Sequence, residues 1–243
     1  NYQITEVMEE YDPDMDSLLF YLPLAGSAFK KVYFDSLLGR ATSAFVKAED
    51  LVVSYDTTNL ETSPRITHVI TMTGNDIRKM QISGVYRDFD IGSPGESDYN
   101  EAKDKIDELQ GLSKPTSDYN EYTLLEVHVD LELEGIDEYE FGVPYIVTIL
   151  EESGEILSIR RNWAMEDELF RKKEYFVHYK FLPGLGFYGF GLIHMIGGLT
   201  KSATSILRQL IDAGTLSNLP AGFKARGMRV QGEDEPLRPG EFR

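Results

Sequence analysis

The chain has 243 residues, 42% of them hydrophobic and 12% aromatic, no cysteine, and a net charge of -17. That composition belongs to a folded protein of one or two domains, not a disordered one. It excludes disulfide staples and thiolate metal sites. The acidity also argues against a surface that grips nucleic acid, which needs several phosphate-neutralising cations.

The charge is unevenly placed. Residues 1–175 carry 16 basic and 36 acidic side chains, whereas 176–231 carry 6 basic against Asp212 alone. The opening residues hold no signal-peptide pattern. Asn1 and a stop just after Pro239-Gly240 lead to the expectation of a window cut from a longer polypeptide.

Residues 1–16 read as a weak helical pattern with an acidic run. Asp12, Asp14 and Asp16 have the spacing that opens a calcium loop, but Ser17 and Pro23 stand where that loop needs Gly and Glu. A solvated acidic surface is the better reading. Short strands are expected at Leu18–Leu22, Ala28–Phe34 and Ala41–Val46, the last two a hairpin about Gly39. Leu51–Val53 and Ile66–Met72 continue the sheet. Thr73 then caps a helix with Ile77 and Met80 on its apolar side, Ile82 on the flank and Gly84 as a left-handed stop.

From about 88 to 120 the chain turns acidic and rich in Ser, Gly and Pro, with one modest helix at 98–110. It reads as an exposed excursion. Tyr122–Glu132 alternates, with Leu125, Val127, Val129, Leu131 and Leu133 on one face and Glu126, His128, Asp130 and Glu132 on the other. Tyr145–Leu150 and Glu155–Arg160 bracket a Ser153-Gly154 turn as a second hairpin. After Trp163 and a mixed-charge connector, Phe176–Phe181 is the last strand. Tight turns between strands imply an antiparallel meander, so residues 1–181 read as an α+β domain.

A long amphipathic helix follows. Leu192, Ile196, Leu199, Ala203, Ile206 and Leu210 recur at steps of four and three, widened by Ile193, Leu207 and Ile211. His194, Lys201, Ser205, Arg208 and Asp212 fall opposite. That pattern gives one buried side and one wet side. Its central charges exclude a membrane span. Gly214 and an Asn218-Leu-Pro220 break end it, and Gly197-Gly198 marks a weak point or a close contact.

Chemistry-bearing patterns are few. Gly184-Leu-Gly186-Phe-Tyr-Gly189 is a literal GxGxxG after a strand and before a helix. The antiparallel strands around it, the missing second acidic strand and the bulk of Pro183, Phe187 and Tyr188 count against dinucleotide binding. Glycines for close backbone packing are the better reading. Gly197–Ser202 echoes a phosphate loop without its spacing. His68, His128, His178 and His194 lack metal-site spacing, and no nucleophile motif is present. No catalytic, cofactor or metal residue is assigned.

The segments HYKFLPGLGFYGFGLIHMIGGL, TSILRQLIDAGTLSNLPAGFKARGMRV and PLRPGEFR resemble the portal proteins, or head-to-tail connectors, of short-tailed double-stranded DNA bacteriophages. Upstream, YLPLAGSAFKKVYFD, EDLVVSY, RITHVITMT and residues 120–135 stand in a similar order. The resemblance implies a non-enzymatic subunit of a homo-oligomeric ring, commonly twelve-membered, at the capsid vertex of the virion. It assembles in the host cytoplasm, and DNA passes through its channel in packaging and ejection.

It further implies an α+β wing at 1–181, a hinge and first stem helix at 182–219 and the start of a small clip domain at 220–243. The ring would contact the major capsid protein, terminase, tail adaptors and double-stranded DNA read without sequence specificity; no cofactor or membrane is implied. His194, Lys201, Ser205, Arg208 and Asp212 become channel-facing or intersubunit candidates, with Lys201 and Arg208 more readily paired to a neighbour's acids than to phosphates. Lys224, Arg226 and Arg229 become clip or partner contacts. The alternatives are an NAD(P)-dependent oxidoreductase using the 184–189 turn, or another neck or tail adaptor.

Overall fold

A run of strand-forming residues, Ser27–Asp35 (β1), turns at Gly39 (φ 65°) into Arg40–Lys47 (β2), and this hairpin begins the fold. The computed structural model describes residues 2–35, 38–92, 121–133 and 141–218. Two antiparallel sheets result. One has the order β2-β1-β8, with β8 at Phe176–Lys180. The other has the order β3-β4-β5-β6-β7, built from Leu51–Val53, Arg65–Thr73, Glu121–Leu131, Val143–Leu150 and Ile156–Arg161. The chain is α+β, with three α-helices among the described residues: α1 (Tyr11–Ala25), α2 (Gly74–Ile82) and α3 (Leu192–Asn218), beside a π turn at Gln3–Val7 and a 3-10 turn at Ala48–Asp50. It divides into two compact units after Gly191.

The run Leu18–Leu22 is helical rather than a strand. Five apolar residues fit either period, and the deciding signals lie outside them. Asp12 and Asp14 sit in the first turn of α1, where the helix dipole favours acids, and Gly26 at φ 88° closes the helix with its N–H on Leu22 O at 2.8 Å. The acidic run is not merely solvated. Asp14 Oδ2 accepts from Phe45 N at 2.7 Å and Glu10 Oε1 from Ser43 N at 3.3 Å. Both bonds occupy outward backbone donors of the edge strand β2, which would otherwise invite pairing with another chain.

α2 follows the sequence closely. Thr73 Oγ1 accepts from Asp76 N at 3.3 Å, Ile77 is fully buried, and Gly84 takes φ 75° beyond the end. Ile82 is exposed. The second hairpin turns at Gly154, φ 69°. Phe89 and Ile91 pack against the buried cluster of Ile77, Tyr122, Leu124, Leu150 and Leu157, so the core extends past residue 88, where the excursion was expected to begin. The expected helix at 98–110 lies outside the described residues.

β5, at the centre of the five-stranded sheet, alternates as expected, but its buried row is the more polar one. Tyr122, Leu124, Glu126 and His128 are buried, whereas Leu125, Val127 and Val129 are only half-buried. The reason is what covers each face. The row with Glu126 lies beneath the three-stranded sheet and α2. The other face is covered in part by the connector after β7, through Trp163 and Phe170 against Val143, Tyr145 and Val147.

α3 is about 40 Å long at 1.5 Å per residue. It runs through Gly197-Gly198 and past Gly214 to Asn218, the first residue of the expected Asn218-Leu-Pro220 break. The expected buried side is not buried: Ile193, Ile196, Leu199, Ile206, Leu207, Leu210 and Ile211 are all exposed, Leu199 at 72%. The stripe that periodicity identifies is real, and among the described residues it is exposed rather than buried. No described helix is long and apolar enough to cross a membrane.

Candidate functional site

Strand geometry makes the first site. Successive side chains of a strand point to opposite faces, so the adjacent Lys30 and Lys31 of β1 must diverge. Lys30 turns to α1, with Nζ 4.0 Å from the Tyr11 ring centre. Lys31 turns to the larger sheet and meets Glu126 Oε1 at 2.7 Å. Two residues along β5, on the same face, His128 Nε2 stands 2.9 Å from the same oxygen. Both members of the ion pair are 10% exposed.

Burial alone would raise the Glu126 carboxyl. The His128 hydrogen bond and the Lys31 charge outweigh it and hold the group well below the usual carboxylate range. His68, paired with Glu126 across β4 and β5, is lowered to about 4, first by burial and then by Lys31. Its Nδ1 is buried without a hydrogen-bond partner among the described residues, and its ring meets Phe176 edge-on at 5.5 Å.

Beside this cluster opens a cavity of about 320 Å³. Glu126 and Arg160 lie at its floor, and Tyr33, Ile70, Met72, Met80 and Tyr86 are among its walls. Arg160 Nη2 is 3.7 Å from Glu126 Oε2, too long for a hydrogen bond. Among the described residues Tyr86 donates only to the Met72 sulfur, at 3.9 Å, and burial pushes its phenol up to about 12.

The glycine-rich turn is a packing device. A Cβ on Gly189 would lie 2.5 Å from Gly26 O and 2.7 Å from Leu182 O, and one on Gly191 would overlap Leu24 O and Gly26 N. Gly189 N donates to Ser27 Oγ at 2.8 Å. That hydroxyl lies 3.1 Å from Nε2 of His178 and has its proton to give to it. The His178 ring, lowered to about 4 by burial and then by Lys180, lies against both Phe29 at 4.4 Å and the buried Phe187 at 4.7 Å, which themselves stack at 5.9 Å. Gly189 and Gly191 are thus used for the chain's own close contact with the β1 junction.

On α3, His194, Lys201, Ser205, Arg208 and Asp212 are all exposed. Steps of seven, four, three and four residues set them in one row along the helix. Thr200, Ser202, Thr204 and Thr215 return their hydroxyls to carbonyls four residues back, which removes most of their hydrogen-bonding capacity from the surface. Lys224, Arg226 and Arg229 lie outside the described residues. Asp14 of the calcium-like run is engaged by β2, and no group of three or more His, Asp and Glu among the described residues is placed to hold a metal ion.

Sequence reasoning missed Lys31, Glu126 and the cavity. Two signals were available: Lys30-Lys31 within a strand covered on both faces, and Glu126 with His128 at a spacing of two. Comparison with protein-family models and with curated proteins finds no match for this chain.

Proposed function

We propose that this chain is a subunit of a bacteriophage portal ring at a capsid vertex, a structural protein through whose channel double-stranded DNA moves in packaging and ejection. The observation that carries the reading is α3: a 27-residue helix with one exposed apolar stripe and one polar row, following an α+β unit in chain order. A helix that leaves seven large aliphatic side chains in water is built to be covered by other protein. In a cyclic, head-to-tail ring each copy's stripe meets a different face of the next copy. The row His194, Lys201, Ser205, Arg208 and Asp212 then borders the channel, with Lys201 and Arg208 within reach of a neighbour's acids.

The acidity supports the same reading, because DNA that must slide is braked by attraction to its phosphates. In this reading residues 1–181 form the wing, 182–219 the hinge and first stem helix, and Lys224, Arg226 and Arg229 belong to a clip that meets terminase and later the tail adaptors. The major capsid protein surrounds the ring. The resemblance of the quoted segments supplies these partner classes.

The test is the mass of the intact gene product in solution, with negative-stain images of the same sample. Rings of about a dozen copies with a central hole are expected. A monodisperse monomer or dimer overturns the proposal.

A further inference from the structure

The open edge of the five-stranded sheet, at β3, carries backbone groups that the fold leaves unpaired. Glu151 N donates to Thr123 O at 2.9 Å, which sets the odd-numbered residues of β5 against β6 and the even-numbered ones against β4. The registers His68↔Glu126 and Val52↔Thr67 then turn the backbone of Val52 inward to β4 and those of Leu51 and Val53 outward. Tyr188 agrees from the outside, donating its hydroxyl to Leu51 O at 3.3 Å. The outward N–H and C=O of Val53 have no partner among the described residues.

Beside this edge runs an open groove of about 570 Å³, between β3 with the residues after it and the turn at 186–188. Its lining includes Leu51, Val53, the buried Phe187, Tyr188 and the fully exposed Tyr55. No lysine or arginine lines it, whereas Glu49 and Asp56 do. Glu49 meets Lys47 at 3.7 Å with both side chains more than half exposed, and Asp56 has no ion-pair partner among the described residues.

We propose that this groove docks an extended, lysine- or arginine-bearing segment of a partner protein. The segment adds to β3 as a sixth strand through Val53 and sets a cationic side chain against Asp56 and the Tyr55 ring. One residue of an extended chain offers both the acceptor and the donor that Val53 needs, whereas a small ammonium satisfies the carbonyl alone. Two copies pairing β3 to β3 would bring Glu49 and Asp56 towards their own images, which like-charge repulsion opposes.

The test uses the full chain and a capped, fluorescein-labelled peptide, Thr-Val-Lys-Val-Lys-Val-Thr, with two analogues. One carries Glu for Lys; the other is N-methylated throughout, which keeps the charge and removes every backbone donor. Anisotropy gives the affinity, and hydrogen exchange read by mass gives the place. The lysine peptide is expected to bind saturably and to protect the Val53 amide. Both analogues should bind at least about tenfold more weakly. Asp56→Asn should weaken the lysine peptide about threefold, and Glu151→Gln, three strands away across the sheet, should not. No binding at millimolar peptide, equal affinity of the N-methylated peptide, binding without protection at Val53, or full affinity in Asp56→Asn overturns the proposal. Protection of Val53 that rises with protein concentration alone also overturns it, in favour of a second copy. The peptide series decides even if a variant fails to fold.

Discussion

Lys31 and Glu126 stand 2.7 Å apart on strands of two different sheets, and each is nine-tenths buried. The contact is thus a clasp between layers. Coulomb attraction in such a place must offset the desolvation of two ions, so the pair is weak evidence of added stability, whereas breaking it strands a buried charge. Lys31→Met alone and Glu126→Gln alone should each cost about 3–5 kcal/mol in urea unfolding. The double variant should lie well above the sum of the singles, with a coupling of at least about 1 kcal/mol. Strict additivity would show that the clasp does not hold the layers.

The same interface makes the protein acid-labile. His68 and His178 have folded-state values lowered to about 4 from 6.5. Their unfolded forms therefore take up protons first. Their stabilisation is complete above pH 6.5, declines as the pH falls from 6.5 to 4, and is gone below that. For the largely buried His68 this amounts to on the order of 3 kcal/mol at 1.36 kcal/mol per unit; His178, half open to water, contributes less through screening. Glu126, also depressed, extends the loss below pH 4.5. Urea midpoints measured from pH 7 to 4 should fall monotonically, and His68→Leu should flatten the upper part of that slope. A flat profile would contradict the buried placement of His68.

Much of the architecture was legible because local chemistry decides it. Gly39 and Gly154 fix the two hairpins, and Thr73 with Gly84 brackets α2, since caps and positive-φ turns depend on a few neighbouring residues. Leu18–Leu22 was not legible: its period is ambiguous, and the bonds that seat α1, from Asp14 and Glu10 to β2, join residues more than 30 apart. β5 shows the deeper limit. Alternation reveals two faces but not which one the rest of the chain will cover, and here the face with Glu126 and His128 is covered. For α3 the stripe was readable, but whether the chain itself would bury it was not.

The glycine-rich turn offers a direct contrast between packing and cofactor binding. A Cβ on Gly186 meets nothing within 4 Å, whereas Cβ atoms on Gly184 and Gly189 run into backbone atoms, which cannot swing aside as a side chain can. Gly186→Ala should therefore unfold within about 0.5 kcal/mol of the parent, and Gly189→Ala should lose several times that. In a dinucleotide fingerprint the middle glycine is the one that the pyrophosphate approaches. Equal tolerance at 186 and 189 in urea unfolding would refute the packing role.

α3 supplies the sharpest test of assembly, because its two rows make opposite demands. Leu199 and Leu210 are 72% and 66% exposed in the single chain. Covering such a side chain is worth about 1.5–3 kcal/mol, gained only in an oligomer. Leu199→Asp or Leu210→Asp removes that gain and buries a charge at every copy's interface, so the intact gene product should drop from a ring to a monomer or small oligomer. Stability of the α+β unit should change by less than about 0.5 kcal/mol, as for a surface substitution outside it. Ser205→Asp, on the polar row, should leave the ring mass unchanged. Native mass measurements on the three variants decide: an intact ring in Leu199→Asp, or a ring lost only in Ser205→Asp, would reverse the roles assigned to the two rows.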